Sequence, residues 1–148
     1  MSTFDRYLSG VIATAETEAR LEGATTVEAY HLLLAIAREG RPALGLDHAA
    51  VRAALDREFE QSLAAAGVRI EGGLPPATPS EVIPGLGASA KAALERGFGA
   101  VSRKRDCRPG HVLLGVLQAE VGTVPRALAL AGVDRAELIE RVQQEVDG

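Results

Sequence analysis

The sequence predicts an all-α domain, and three observations carry that reading. Apolar residues recur at steps of three and four through most of the longer stretches. Acidic or hydroxyl residues stand ahead of these stretches, and glycines close them. Aromatic residues make up only 3% of the chain, with no Trp, against 47% hydrophobic residues in all. The core must therefore be filled by Leu, Val, Ile and Ala, a mixture that suits closely packed helices.

The first helix is predicted from Phe4, with Leu8, Val11, Ile12, Ala15 and Ala19 on its apolar side and Arg6, Glu16 and Arg20 opposite; Gly23 ends it. Thr25, Thr26, Val27 and Glu28 match a capping box, in which a Thr hydroxyl accepts a free backbone N–H and Glu28 reaches back. The helix that follows, His31 to Ala37, is apolar around most of its circumference and is expected at the centre of the domain. Beyond Arg41 and Pro42 a third helix is predicted from an Asp47 cap, with Val51, Leu55, Phe59 and Leu63 at four-residue steps before Gly67.

Residues 67–87 hold four of the seven prolines, lack periodicity and read as a linker. Leu94, Phe98 and Val101 then restart a helical stripe, in which Gly97 and Gly99 each cost about 1 kcal/mol relative to Ala and are expected to permit close helix packing. A polar loop, Arg103 to Asp106, leads to Pro109, which suits the first turn of a helix carrying Val112, Leu113, Leu114, Val116 and Leu117. A short segment with Val124, Leu128 and Leu130 ends at Gly132. Asp134 and Glu137 then cap a last helix bearing Leu138, Ile139, Val142 and Val146.

Composition narrows the function classes. Lys and Arg number 16 against 20 acidic residues, and the pI is about 5.4, so a basic face for nucleic acid is not expected. The single Cys107 forms no intrachain disulfide. The start of the chain lacks a basic-then-apolar leader, and no apolar run reaches the ~18 residues of a membrane span. A cytoplasmic protein with no membrane partner is expected.

The halves repeat. Tyr30-His31-Leu32-Leu33-Leu34-Ala35-Ile36 matches Gly110-His111-Val112-Leu113-Leu114-Gly115-Val116 at a constant offset, and Leu44-Gly45-Leu46-Asp47 matches Ala131-Gly132-Val133-Asp134. This predicts one domain over 1–148, with repeat one at 1–66, a linker at 67–87 and repeat two at 88–148. The two repeats would bury their apolar faces on each other about a pseudo-twofold axis, leaving a groove at the seam.

His31-Leu32-Leu33-Leu34-Ala35-Ile36-Ala37-Arg38-Glu39-Gly40 resembles the H-[IL]-L-L-G-L-[IVL]-x-E-G signature of the repeat in Clp ATPase N-terminal domains of the ClpC and ClpA kind. His111 to Leu117 carries it again, and Phe4 and Ala19 stand at matching places upstream. The resemblance implies a non-enzymatic module that docks adaptor proteins or substrates for a Clp unfoldase and, in some actinobacterial members, cyclic-peptide antibiotics. Partners would be such a peptide, adaptor or antibiotic, and Clp ATPase or protease components. Regulating Clp proteolysis and sequestering the ligand are the roles implied; the alternative is a helical accessory subunit of a complex unrelated to Clp. No G-x-x-x-x-G-K-[ST] loop occurs, so a stand-alone domain without ATP hydrolysis is expected.

Two departures bear on ligand choice. Phosphoarginine-binding members hold the guanidinium with a glutamate before each His, and those places are taken here by Tyr30 and Gly110. The first repeat is also about seven residues shorter between Glu39 and Gly45, relative to the resemblance, which reshapes its groove. By the resemblance, the first helix of each repeat lines the binding face. This nominates Phe4, Leu8, Ile12 and Glu16, with Lys91, Leu94 and Glu95 in repeat two. Phe4 is either an aromatic anchor or a core staple. His31 and His111 read as structural rather than metal ligands, Cys107 as packing, and no cofactor is expected. Arg103, Lys104, Arg105 and Arg108 form the one basic cluster, which is either a solvated loop or a grip for an acidic segment.

Overall fold

A computed structural model describes residues 2–39, 45, 47–69, 71–72 and 76–148. The elements run α1 (Thr3–Leu21), β1 (Thr26–Val27), α2 (Ala29–Arg38), α3 (His48–Ala65), β2 (Gly85–Leu86), α4 (Ala88–Gly99), a 3-10 turn (Lys104–Asp106), α5 (Pro109–Leu117), α6 (Thr123–Leu130) and α7 (Arg135–Asp147). The fold is all-α, and α1, α2 and α3 find their counterparts in α4, α5 and α7. For α6 the first half offers no counterpart among the described residues; the shortened stretch after Glu39 falls on residues 40–44, outside them, as do Leu44 and Leu46 of the second repeat match.

The helix ends follow local chemistry. Ser2 caps α1 in a reciprocal box with Asp5. Asp47 accepts the Ala50 N–H at 2.7 Å, and Asp134 accepts that of Glu137 at 3.1 Å. Gly23, Gly67 and Gly132, which close α1, α3 and α6, all have φ between +73° and +89°, a region where a Cβ would be strained.

The core is centred on α2 and α5. Ala29 and His31 to Ala37 are all buried, as is every residue from Gly110 to Leu117. Around this pair α1 covers α2, α4 and α7 cover α5, and α3 lies against α2 and α6. Backbones come very close between α4 and α5: a Cβ on Gly97 would stand 2.4 Å from the His111 carbonyl oxygen, and one on Gly115 would stand 2.0 Å from that of Ala93. Gly99 faces open space and has no such role. Arg96 and Arg135 donate to the Gly115 and Leu117 carbonyls at 3.0 and 2.8 Å, satisfying acceptors that the end of α5 leaves free.

Three local expectations are corrected. Thr26 and Val27 form a parallel bridge with Gly85 and Leu86 instead of a capping box, so Glu28 becomes the residue before α2. Its carboxylate accepts from Thr26 Oγ1 at 2.5 Å and Ser89 Oγ at 2.7 Å. Within the expected polar loop, Lys104–Asp106 winds into a single 3-10 turn. Phe59 is 53% exposed, because a four-residue step advances about 40° around a helix and carries the stripe off the buried face. The buried positions of α3 are Val51, Ala54, Leu55 and Glu58, and Glu58 meets Arg126 of α6 at 2.9 Å.

The segment between the halves is held at its end. Ser80 N–H donates to the Arg20 carbonyl at 2.8 Å, Arg20 Nε donates to the Ser80 carbonyl at 3.1 Å, and Gly87 N–H donates to Val27 at 2.8 Å.

Candidate functional site

The seven nominated residues lie on α1 and α4. Phe4, Leu8, Ile12 and Glu16 also step by four, so their stripe runs along the margin of the buried face and all four are half-buried. Phe4 and Leu8 pack on the core. The Phe4 ring meets Phe98 edge-on, with centroids 6.1 Å apart, and lies 6.5 Å from the Tyr7 ring. These aromatics tie the start of α1 to the end of α4. Phe98, read from sequence only as part of a helical stripe, is thus the partner of Phe4 across the two halves. Lys91 and Glu95 are exposed, and neither they nor Glu16 form an ion pair or hydrogen bond among the described residues. Leu94 is only 7% exposed and shares the buried side of α4 with Ala90, Ala93 and Gly97, which makes it a core residue rather than part of an open face.

His31 and His111 occupy equal places at the starts of α2 and α5. Each Nδ1 accepts a backbone N–H three residues back, from Glu28 and Arg108, at 2.8 Å in both halves. With Nδ1 accepting, the neutral ring carries its proton on Nε2. From there the halves diverge. His31 Nε2 donates to Glu22 Oε1 at 2.5 Å, the Tyr30 hydroxyl donates to the same oxygen, and Arg52 reaches Glu22 Oε2 at 3.3 Å. Burial works to raise the Glu22 pKa, but the His31 and Tyr30 hydrogen bonds and the Arg52 charge outweigh it and hold the carboxyl below its ordinary value. Burial, and then the Glu22 carboxylate, push the Tyr30 phenol well above its own.

In the second half Gly110 replaces Tyr30, and Val146 of α7 closes on it so nearly that a Cβ would stand 2.4 Å from Val146 Cγ1. His111 is 5% exposed, and its Nε2 has no partner among the described residues. It lines a polar cavity of about 280 Å³ together with Arg105, Arg108, Asp106, Gln143 and Asp147. A smaller apolar groove of about 60 Å³ lies at the seam, where Val51 and Ala54 of α3 face Ala127 and Leu128 of α6.

The basic cluster divides by task. Lys104 pairs with Asp5 at 3.0 Å, which ties the 3-10 turn to the start of α1. The Lys104 hydrogen bond, assisted by the Ser2 cap, lowers the Asp5 pKa to about 2. Lys104→Ala should let the Asp5 carboxyl titrate measurably closer to the ordinary aspartate value in a carbon-detected NMR titration; an unmoved titration would show that the Ser2 cap alone sets it. Cys107 has its thiol pKa raised, by burial and then by Asp106, which is the reverse of what a nucleophilic thiolate needs. Among the described residues no group of three His, Cys, Asp or Glu side chains is placed to hold a metal, and no helix is long and apolar enough to cross a membrane.

No family model matches the chain. Chaperone protein ClpD2, chloroplastic, of Oryza sativa subsp. japonica is 30% identical over 156 residues, covering 99% of this chain. The chain spans only 16% of the length of that relative. The solved N-terminal domain of the caseinolytic protease associated chaperone ClpD from Arabidopsis thaliana superposes with a TM-score of 0.69 at 22% identity, over 99% of this chain and 98% of that one.

Proposed function

The chain has the fold of the Clp N-terminal domain, and from that premise we propose that it is a non-catalytic protein-interaction module that binds a peptide, an adaptor or a cyclic-peptide antibiotic and so regulates Clp proteolysis or sequesters the ligand. The observation that carries this reading is the match to a solved N-terminal domain over 99% of this chain and 98% of that one. The margin stripe of α1 supports it, since half-buried Phe4, Leu8 and Ile12 give a ligand apolar surface that the core does not fully consume. Guanidinium recognition is disfavoured. Tyr30 and Gly110 carry no carboxylate, and the nearby Glu22 is already engaged by His31, Tyr30 and Arg52.

Calorimetric titration with an apolar cyclic peptide directed at Clp N-domains and with phosphoarginine tests the reading. The peptide is expected to bind and phosphoarginine to bind weakly or not at all. Phe4→Ala should weaken peptide binding by about 2 kcal/mol or more, the usual threshold of a hot spot, with little change in helix content. Tight phosphoarginine binding, or a peptide affinity indifferent to Phe4, would overturn this assignment of the face.

A further inference from the structure

We propose that the His111 cavity is a second binding site, one that takes a single carboxylate from a peptide: an Asp or Glu side chain or a chain's C-terminal carboxylate. The inference deepens the reading of the chain as a peptide-binding module and rests on it, but it names a different surface from the Phe4 stripe.

The chain itself shows what such a site holds. In repeat one the Nε2–H of a buried histidine, fixed by its Nδ1 on the backbone, donates to the Glu22 carboxylate, and a guanidinium, Arg52, reaches the other oxygen. In repeat two the same histidine stands in the same tautomer on the same backbone contact. There the constant offset of the repeat puts Ser102 in the place of Glu22, and Ala100, which follows α4 and lines the cavity, has no carboxylate to offer either. The donor remains and its acceptor is missing. The Nε2–H opens onto the cavity, where a carboxylate oxygen would accept from it as Glu22 accepts from His31.

The surroundings suit that ligand. Arg105 and Arg108 line the same cavity and form no ion pair among the described residues, so they stand in the role of Arg52. At about 280 Å³ the cavity has room for a whole acidic side chain. Its charge is balanced, because Asp106 and Asp147 line it as well, and Asp147 accepts from the Gln143 amide at 3.0 Å. That balance favours one carboxylate over a phosphate or a run of acidic residues, which would bring more negative charge than two guanidinium groups can offset against two aspartates.

The test uses blocked pentapeptides with the folded protein, followed by NMR of the histidine ring nitrogens. One peptide carries a central glutamate and amidated ends, a second carries glutamine there with a free C-terminal carboxylate, and the third is the fully blocked glutamine twin. The first or second peptide, or both, should shift His111 Nε2 and leave His31 Nε2 in place, while the third shifts neither; the two carboxylate arms tell which source the site prefers. Arg105→Gln/Arg108→Gln should weaken that binding at least about tenfold, as expected for loss of hydrogen bonds to a charged group. Both arginines are exposed, so the fold should survive. Ala100→Glu, which adds a carboxylate to the lining of the cavity, should block the peptides. Equal binding of the blocked glutamine twin, affinity unchanged in the double variant, or no response of His111 to either carboxylate would overturn the proposal. A peptide that perturbs Phe4 and Phe98 without touching His111 would remove this site and leave the proposed module intact.

Discussion

Gly115→Val should destabilise the domain by about 3 kcal/mol, the upper range for forcing a side chain into a packed core. The added Cβ alone would sit 2.0 Å from the Ala93 carbonyl oxygen and 2.9 Å from the Gly97 nitrogen, and both are backbone atoms of α4 that cannot rotate away. The only relief is to lift α4 off α5, which exposes Ala90, Ala93 and Leu94 on one side and the Gly110–Leu117 helix on the other. Gly99→Ala is the control, since nothing lies within 4 Å of its added Cβ. It should be neutral or stabilise by up to about 1 kcal/mol through helix propensity. Urea unfolding of the three proteins measures both effects; a Gly115→Val midpoint within error of the parent would contradict the close approach of α4 and α5.

The second large effect separates the two histidines. His31→Leu removes the acceptor of the Glu28 N–H and strips Glu22 of its buried imidazole donor, for a loss of about 3 kcal/mol. His111→Leu removes only the equivalent backbone contact, so its cost should be nearer 1 kcal/mol. The gap between them should close in acid. Glu22 has its folded pKa held below the ordinary carboxylate value, so its contribution is complete above that ordinary value and is lost as pH falls through the lower folded one. Equal costs for the two substitutions at neutral pH, or a gap that persists where Glu22 is protonated, would mean that the Glu22 contact contributes little.

What was legible in the sequence was local. Asp47 and Asp134 could be read as caps because a capping side chain bonds within its own first turn, and Gly23, Gly67 and Gly132 as helix ends because each solves a single-residue backbone problem. The central burial of α2 and α5 was legible because no face of either is polar. Contacts between distant segments were not. Thr26 and Val27 look like the start of a capping box until Gly85 and Leu86 arrive beside them. Glu18 and Glu58 are each 5% exposed, yet their neighbours in sequence do not foretell the arginines that hold them, Arg38 at 2.8 Å and Arg126 at 2.9 Å. Of the candidate face, periodicity placed Leu8 and Ile12 beside the core but set Glu16 opposite, where the structure has it half-buried on the same margin, whereas Leu94 was drawn inward by the small residues beside it. The His111 cavity has a sequence signal only in comparison with repeat one, where Tyr30 and Glu22 stand at the places of Gly110 and Ser102.

The parallel bridge between Thr26–Val27 and Gly85–Leu86 also sets where this chain tolerates extra length. A Cβ on Gly23 would stand 2.6 Å from the Thr78 carbonyl oxygen, so the end of α1 already presses on the crossing segment ahead of Ser80, and from Thr78 onward the chain is pinned to the first half. An insertion between α3 and Thr78 lengthens a loop whose closure entropy grows only with the logarithm of its length, about 0.6 kcal/mol for each doubling. One residue added between Ser80 and Gly85 would instead shift the pairing of Gly85 with Thr26 and carry Ser89 away from the Ala29 N–H that it accepts at 2.8 Å. The join between the halves thus ends in a keyed coupling, its length fixed by the residues that it pairs.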